Sequence, residues 1–302
     1  FMRLRLKKSV NLPRISQLTP VVNDFNPLFI RKGNPYLTPE ENYSASALFI
    51  RHNFATGFSI FSRISYNYTN NSIVNSEFTD EFGIRYSTFE NLEDKNNFNL
   101  SFNFGNRLNS LGLRYSIRLS GAYSEYMSII NRVNNETQSK DGTLGISFEN
   151  NKKEKFDAMI GANWKKNYTT FTSGNNADRD YLQQSYYIKT DWNVTDRFNV
   201  NSQFKYDIYT DSNFGTDQFV PIWNASISYS LLKSKSMIIM ISALDILNKN
   251  IGIVRNSSDN YFEETFREVL GNYYMLSLTY NLNGNKNPNA SKSGSRRGHR
   301  RH

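Results

Sequence analysis

Three histidines, His52, His299 and His302, are the first candidates for proton transfer in this 302-residue chain. A nucleophile–histidine–carboxylate relay needs an imidazole held between two partners. His52 stands close to a short turn, the other two lie in a basic tail, and none is placed for that work. Asp80, Glu81, Glu90, Glu93 and Asp94 could offer oxygens to calcium, but not at EF-hand spacing. Glu263 and Glu264 are adjacent, and neighbours in sequence need not face one substrate as a glycosidase pair must. With no cysteine there is no thiol nucleophile, thiolate metal site or disulfide framework. The glycines form no phosphate-binding fingerprint. The expectation is a chain that is no enzyme, holds no metal and takes no cofactor.

The elements that would have to position a site say more. Aromatic residues make up 15% of the chain, yet its mean hydropathy is negative. Aromatics mixed with Asn, Ser and Thr suit strands that are greasy on one face and polar on the other, and they exclude a disordered chain. The net charge of +9 is lopsided, because Lys286, Lys292, Arg296, Arg297, Arg300 and Arg301 crowd the end without an acid among them. Such a tail does not make a nucleic-acid-binding fold, and no nucleic-acid partner is expected. The greasiest window, Met237 to Leu247, already holds Ser242 and Asp245, so no transmembrane helix is present. Phe1 to Lys8 has charge but lacks the apolar core of a signal peptide. Either an export signal has been removed or the chain begins inside a longer protein.

Period-two alternation dominates. Leu111, Leu113, Tyr115, Ile117 and Leu119 alternate with Gly112, Arg114, Ser116, Arg118 and Ser120. Tyr274, Leu276, Leu278, Tyr280 and Leu282 alternate with Met275, Ser277, Thr279 and Asn281. Successive strand residues point to opposite faces, so each segment has an apolar and a polar side. The pattern predicts about twelve strands, near 1–8, 42–53, 57–70, 96–106, 110–125, 141–150, 155–171, 181–194, 197–211, 218–232, 236–248 and 270–283. Short polar turns alternate with longer connections near 9–41, 71–95, 126–140, 172–180, 212–217 and 249–269.

Trimming one rim and decorating the other is what outer-membrane barrels do, and most segments are long enough to cross the hydrocarbon. Tyr66, Tyr68, Tyr123, Tyr126, Trp164, Tyr168, Tyr186, Tyr187, Trp192, Tyr273 and Tyr274 gather near strand ends, as interfacial girdles require. The reading is all-β: a transmembrane antiparallel up-and-down β-barrel over 1–283, then a basic, disordered periplasmic tail over 284–302. A soluble β-sandwich is the alternative that composition leaves open.

Pro13-Arg14-Ile15-Ser16-Gln17-Leu18, followed by Gly33-Asn34-Pro35-Tyr36-Leu37-Thr38-Pro39-Glu40, resembles the mid-barrel loop of TonB-dependent receptors. There a Pro-containing strand end leads into a GNPxLxPE turn. Ala243 to Asn250 resembles that family's penultimate strand, with Asp245 where Asn is common and Leu247 where Phe is. Tyr273 to Leu282 resembles its terminal strand, with Tyr274, Leu276, Leu278, Tyr280 and Leu282 facing lipid and carrying the signal that barrel-insertion machinery reads. The tail beyond it departs from the family, whose last strand usually ends the chain. The resemblance runs in order over nearly the whole sequence and is closest to the outer membrane protein beta-barrel group of TonB-dependent receptor-like proteins.

That likeness implies the outer membrane of a Gram-negative cell and uptake of a ligand through a plugged pore. A complete receptor would have about 22 strands, of which this chain would supply the C-terminal part. Plug and TonB box are lacking here, so the TonB system is a partner only if a plug lies upstream. Outer-membrane lipid, the insertion machinery and a surface lipoprotein are the other partners implied. A passive porin-like or adhesin-like barrel without a plug is the alternative, since an even strand number permits closure.

Arg63, Arg114, Arg118, Lys165, Lys189, Lys205 and Asp207 fall on polar faces. A Lys or Arg would cost about 2–4 kcal/mol at the midplane of lipid, so they are expected to look into the lumen. A cationic wall would select anionic or polar solutes; salt bridges between barrel and plug would explain the same residues. The ligand itself is not legible.

Overall fold

The computed structural model describes residues 1–92, 94–151, 154–172, 178–211, 217–232, 236–257 and 262–281. Its first strands are β1 (Met2–Asn11), β2 (Asn23–Asn26), β3 (Phe29–Arg31), β4 (Glu40–Asn53), β5 (Phe58–Asn70) and β6 (Ser72–Thr79). Then come β7 (Arg85–Leu92), β8 (Lys95–Leu108), β9 (Leu113–Ile130), β10 (Val133–Asn150), β11 (Phe156–Phe171) and β12 (Arg179–Asn193). The last are β13 (Phe198–Asp211), β14 (Gln218–Leu231), β15 (Met237–Leu244), β16 (Gly252–Ser257), β17 (Phe262–Arg267) and β18 (Tyr273–Tyr280). One helical turn, α1 (Ile15–Leu18), follows β1.

One sheet dominates. In it β1, β4, β5, β8, β9, β10, β11, β12, β13, β14, β15 and β18 lie side by side in chain order, each antiparallel to the next. These are the strands that the alternation predicts. Tight links can only return the chain antiparallel, which dictates the up-and-down order. β1 and β18 each pair on one side only, so the sheet has two open edges among the described residues.

Register carries each face unbroken from strand to strand. Leu119 pairs with Phe102 on one side and Leu144 on the other, and Leu144 pairs with Trp164. On the opposite face Asn103, Arg118, Gly145, Asn163, Ser185 and Asp207 form one row. A slip of one residue would invert a whole strand.

The apolar face lies bare. Leu276 is 73% exposed, Ile160 54% and Phe219 54%, whereas only Leu37, Phe89 and Val220 are buried hydrophobics among the described residues. A soluble sandwich must bury that face against a second sheet, at a gain of roughly 25 cal/mol per Å². Among the described residues the only other sheet is the small β16–β17 hairpin. Polar side chains are buried instead, among them Asn135, Thr137, Ser185 and Asp207.

One rim is trimmed. Gly57 (φ 72°) and Gly112 (φ 63°) supply the left-handed residues of the β4–β5 and β8–β9 turns. In the β12–β13 turn Thr195 Oγ1 accepts from the Arg197 and Phe198 N–H groups at 3.2 and 3.0 Å. The other rim is built up: the connections expected at 9–41, 71–95 and 249–269 contain α1 with β2–β3, then β6–β7, then β16–β17.

The long connection expected at 126–140 is not a loop. β9 and β10 run on and meet at Asn131-Arg132, whose φ angles of 51° and 66° form the left-handed pair of a two-residue hairpin turn. No glycine marks that turn, so the sequence conceals it. The strand expected to reach 248 stops at Leu244, where Asp245 turns left-handed (φ 47°). Pro221 is tolerated inside β14 because β15 pairs only as far as Ala225.

Candidate functional site

The polar face carries the cations. Register brings Arg63 of β5, Arg114 and Arg118 of β9, Lys165 of β11, Lys189 of β12 and Lys205 and Asp207 of β13 onto it together. Their surroundings differ. Lys205 Nζ lies 2.6 Å from the buried Asp207, whose Oδ1 also accepts a 2.5 Å bond from Ser185 Oγ. Arg114 Nε stands 3.7 Å from Glu149, and Arg118 Nε donates to Asn103 Oδ1 at 3.2 Å. Lys189 lies over the Tyr187 ring at 5.4 Å. Arg63 and Lys165 have no ion-pair partner among the described residues.

Toward the short-turn rim, Gly105 and Gly145 leave a hollow of about 390 Å³ lined by Arg114, Arg118, Asn103, Asn163 and Tyr187. A Cβ on Gly145 would come within 2.6 Å of Asn163 Oδ1. Two guanidinium groups and two amides thus border a space suited to a small anionic or polar solute. Donors predominate there.

Above the wall, the turn Gly33, Asn34, Pro35, Leu37, Pro39 and Glu40 is a clamp. Gly33 N–H donates to Thr19 O at 3.0 Å and Asn34 N–H to Gln17 O at 2.6 Å. A Cβ on Gly33 would meet Gln17 O at 2.7 Å, so the backbones approach too closely for any side chain. Asn34 Nδ2 donates to Phe89 O at 2.9 Å while its Oδ1 accepts from Tyr36 N–H at 3.0 Å. Thr38 and Asn91 exchange reciprocal bonds at 2.9 and 3.0 Å. Glu40 Oε1 accepts from Ile73 N–H at 2.8 Å. Leu37 and Phe89 are buried, and Tyr36 is left 88% exposed. The clamp fastens the first long connection to the β6–β7 hairpin, which itself pairs in parallel with β9 through Ser76 and Glu77.

On the bare face, β18 sets Tyr274, Leu276, Leu278 and Tyr280 opposite Ala243, Ile241, Ile239 and Met237; Leu282 lies outside the described residues. Aromatics form two bands. Tyr66, Phe98 and Tyr123 adjoin toward the long-loop rim, and Tyr115–Phe148, Phe156–Trp192 and Phe198–Tyr229 pair toward the other. From Tyr115 to Tyr123 is roughly 26 Å of strand, which at a tilt of about 40° rises about 20 Å, most of the apolar band of about 25 Å on a membrane barrel. Tyr126, Tyr187 and Tyr273, expected in the girdles, fall on the polar face instead.

A family model described as the outer membrane protein beta-barrel family matches residues 2–280. The chain belongs to that family. Comparison with curated proteins gives no match.

Within this outer-membrane barrel family member, several of the residues first examined for chemistry make structural contacts. His52 packs edge-on against Phe54 at 4.0 Å. Asp80 Oδ1 accepts from the Phe82 and Ile84 N–H groups at 3.0 and 2.9 Å, closing the β6–β7 turn. Tyr68 donates its hydroxyl to Asp94, Glu90 faces Val74 across the hairpin, and Glu81 is exposed at the tip. Among the described residues no group of three acids or histidines could hold a metal. Glu93, the side chains of Glu263 and Glu264, His299, His302 and the basic tail lie outside the described residues.

Sequence reasoning missed the work of Asp245. Its buried carboxylate accepts from the Lys249 and Asn250 N–H groups at 3.2 and 3.1 Å and anchors the last long connection. Its place at the end of the strand-like Ala243-Leu244-Asp245 was the available signal.

Proposed function

We propose that this chain is the C-terminal part of the barrel wall of a TonB-dependent receptor-like transporter in the outer membrane of a Gram-negative cell. The observation that carries the reading is the pair of open edges. In hydrocarbon each unpaired backbone N–H or C=O costs several kcal/mol. Leaving β1 and β18 unpaired would therefore cost tens of kcal/mol, far beyond the stability of a domain. Further strands of a larger barrel, of about 22, satisfy both edges. The clamped rim would face outward and receive a ligand, and the cationic wall would meet a plug or the passing solute. The protein binds and transports rather than catalyses, and it uses no cofactor. Outer-membrane lipid, the insertion machinery reading β18, a surface lipoprotein, and TonB through an upstream plug are its partners; nucleic acid is not.

A passive porin-like or adhesin-like barrel is the second reading, favoured by one observation. β1 runs toward the long-loop rim and β18 away from it, so their free edges could pair antiparallel and close a ring. Spin labels at Leu6 and Leu278, in the protein as purified from outer membranes, separate the two. Neighbouring strands lie about 4.8 Å apart, so a closed ring brings the labelled strands into contact. The larger barrel holds them tens of Å apart, which is the result expected; adjacency would overturn the receptor reading.

A further inference from the structure

We propose that the hollow beside β9 binds a small organic solute through an oxyanion group, carboxylate or phosphate. The claim rests on the reading that the polar face lines a lumen which solutes cross. Charge is unbalanced there. Arg107 of β8 and Arg114 of β9 stand directly opposite each other, and Glu149 of β10 is the next residue in that row. Like charges placed opposite destabilise a sheet, and one carboxylate offsets only one of the two. Arg118 is more isolated. On the flanking strands it faces Asn103 and Gly145, with Ser101, Gly105, Thr143 and Ser147 diagonal to it. The carboxylates of β10 on this face, Asp141 and Glu149, lie four residues to either side of Gly145, roughly 13 Å along the strand. Asp157 and Asp191, farther round the wall, stand one step nearer the short-turn rim than Glu149, and Asp191 accepts from Asn199 and Asn201. Neither Arg107 nor Arg118 has an ion-pair partner among the described residues.

Space and donors meet at these cations. A Cβ on Gly105 would come within 2.9 Å of Ser59 Oγ and 3.6 Å of Arg114 Nη2, so the Arg114 fork leans over the Gly105–Ser116 row, toward Arg118. Arg114 Nε is buried without a hydrogen-bond partner among the described residues. Its 3.7 Å separation from Glu149 is an ion pair but too long for a hydrogen bond. Arg118 Nε donates to Asn103 Oδ1, and the terminal nitrogens of Arg118 have no partner among the described residues. Both guanidinium groups are therefore short of acceptors, and an oxyanion in the hollow supplies them in the geometry their forks prefer. Ile50 and Phe61 give the hollow a carbon side that suits an organic skeleton. Its volume of about 390 Å³ falls in the usual range of small-molecule sites, about 300–1,000 Å³.

This chain has no cysteine, so Ser116→Cys puts its one thiol in the hollow and Ser226→Cys puts it elsewhere on the polar face. The protein purified from outer membranes is treated with an anionic methanethiosulfonate at constant ionic strength, with chloride, inorganic phosphate or succinate present. Phosphate or succinate should slow modification of Ser116→Cys and leave Ser226→Cys unchanged, and the salt that protects at lower concentration names the oxyanion. Adding Arg118→Gln should raise the protecting concentration about tenfold, the loss expected for one hydrogen bond to a charged group. Glu149→Gln should lower it by removing a competing carboxylate. Equal rates in all three salts, or protection untouched by Arg118→Gln, would overturn the site while leaving the lumen reading intact. Failure of the reagent to reach either thiol from water overturns both.

Discussion

The sheet wall and the clamped rim are built on opposite rules. In the wall, apolar side chains such as Ile160, Ile188 and Leu278 are exposed, while Ser185 and Asp207 of the polar row are buried. At the rim, Leu37 and Phe89 are buried and fixed by side-chain-to-backbone bonds from Asn34 and Asn91. The wall thus depends on its solvent, because only hydrocarbon makes its bare face favourable. The rim depends on its own hydrogen bonds, and water is its natural medium. One chain is adapted to two solvents, and the boundary between them is the outer aromatic band.

A charge on the bare face breaks the comparison most severely if it is wrong. Ile188→Arg should cost about 2–4 kcal/mol, the penalty of an arginine facing lipid at mid-depth. Gln203→Arg, close by but on the polar face, should change stability by less than about 0.5 kcal/mol. Urea unfolding of the protein from lipid vesicles reads both. Similar costs for the two would mean that the faces meet the same medium.

A smaller effect probes the rim alone. Gly33→Ala forces a methyl against the Gln17 and Thr19 carbonyls, and neither backbone can yield without moving the clamp. The expected cost is about 1–3 kcal/mol, the range for overpacking, and it should stay local. Hydrogen exchange would quicken in β3, β6 and β7 while β10 to β13 keep their protection. Loss of protection in the wall as well would show that the two regions fold as one unit.

This division also explains what could be read from sequence. The wall was legible because its twelve strands follow one rule, and rows such as Phe102–Leu119–Leu144–Trp164 repeat it at every turn. The rim follows none. Its strands are short or pair in parallel with distant partners, as Phe29 does with Arg85, and they are placed by long-range asparagine bonds that leave no periodicity. The Asn131-Arg132 turn was hidden because left-handed residues there are not glycines. The cations of the polar face were found from alternation alone, but the hollow beside Arg114 and Arg118 was not. It arises from Gly105 on β8 and Gly145 on β10, and only register reveals that they flank β9 on its polar face, opposite Ser116 and Arg118.

The finest distinction lies within the rim, between bonds that water can replace and bonds it cannot. Asp80 closes the β6–β7 turn with two backbone bonds, but the turn is open to solvent at Glu81 and Phe82. In Asp80→Ala the freed N–H groups can turn to water, so the cost should be only about 0.5–1.5 kcal/mol, the net value of an ordinary hydrogen bond. Proteolysis should quicken at the hairpin tip and nowhere else. The Asn34 amide, by contrast, donates to the carbonyl of buried Phe89, where water has less access and an orphaned acceptor is more costly. If Asp80→Ala released the whole clamp, the hairpin turn would have to be counted as part of it, and the rim would be a single cooperative unit rather than a set of independent fastenings.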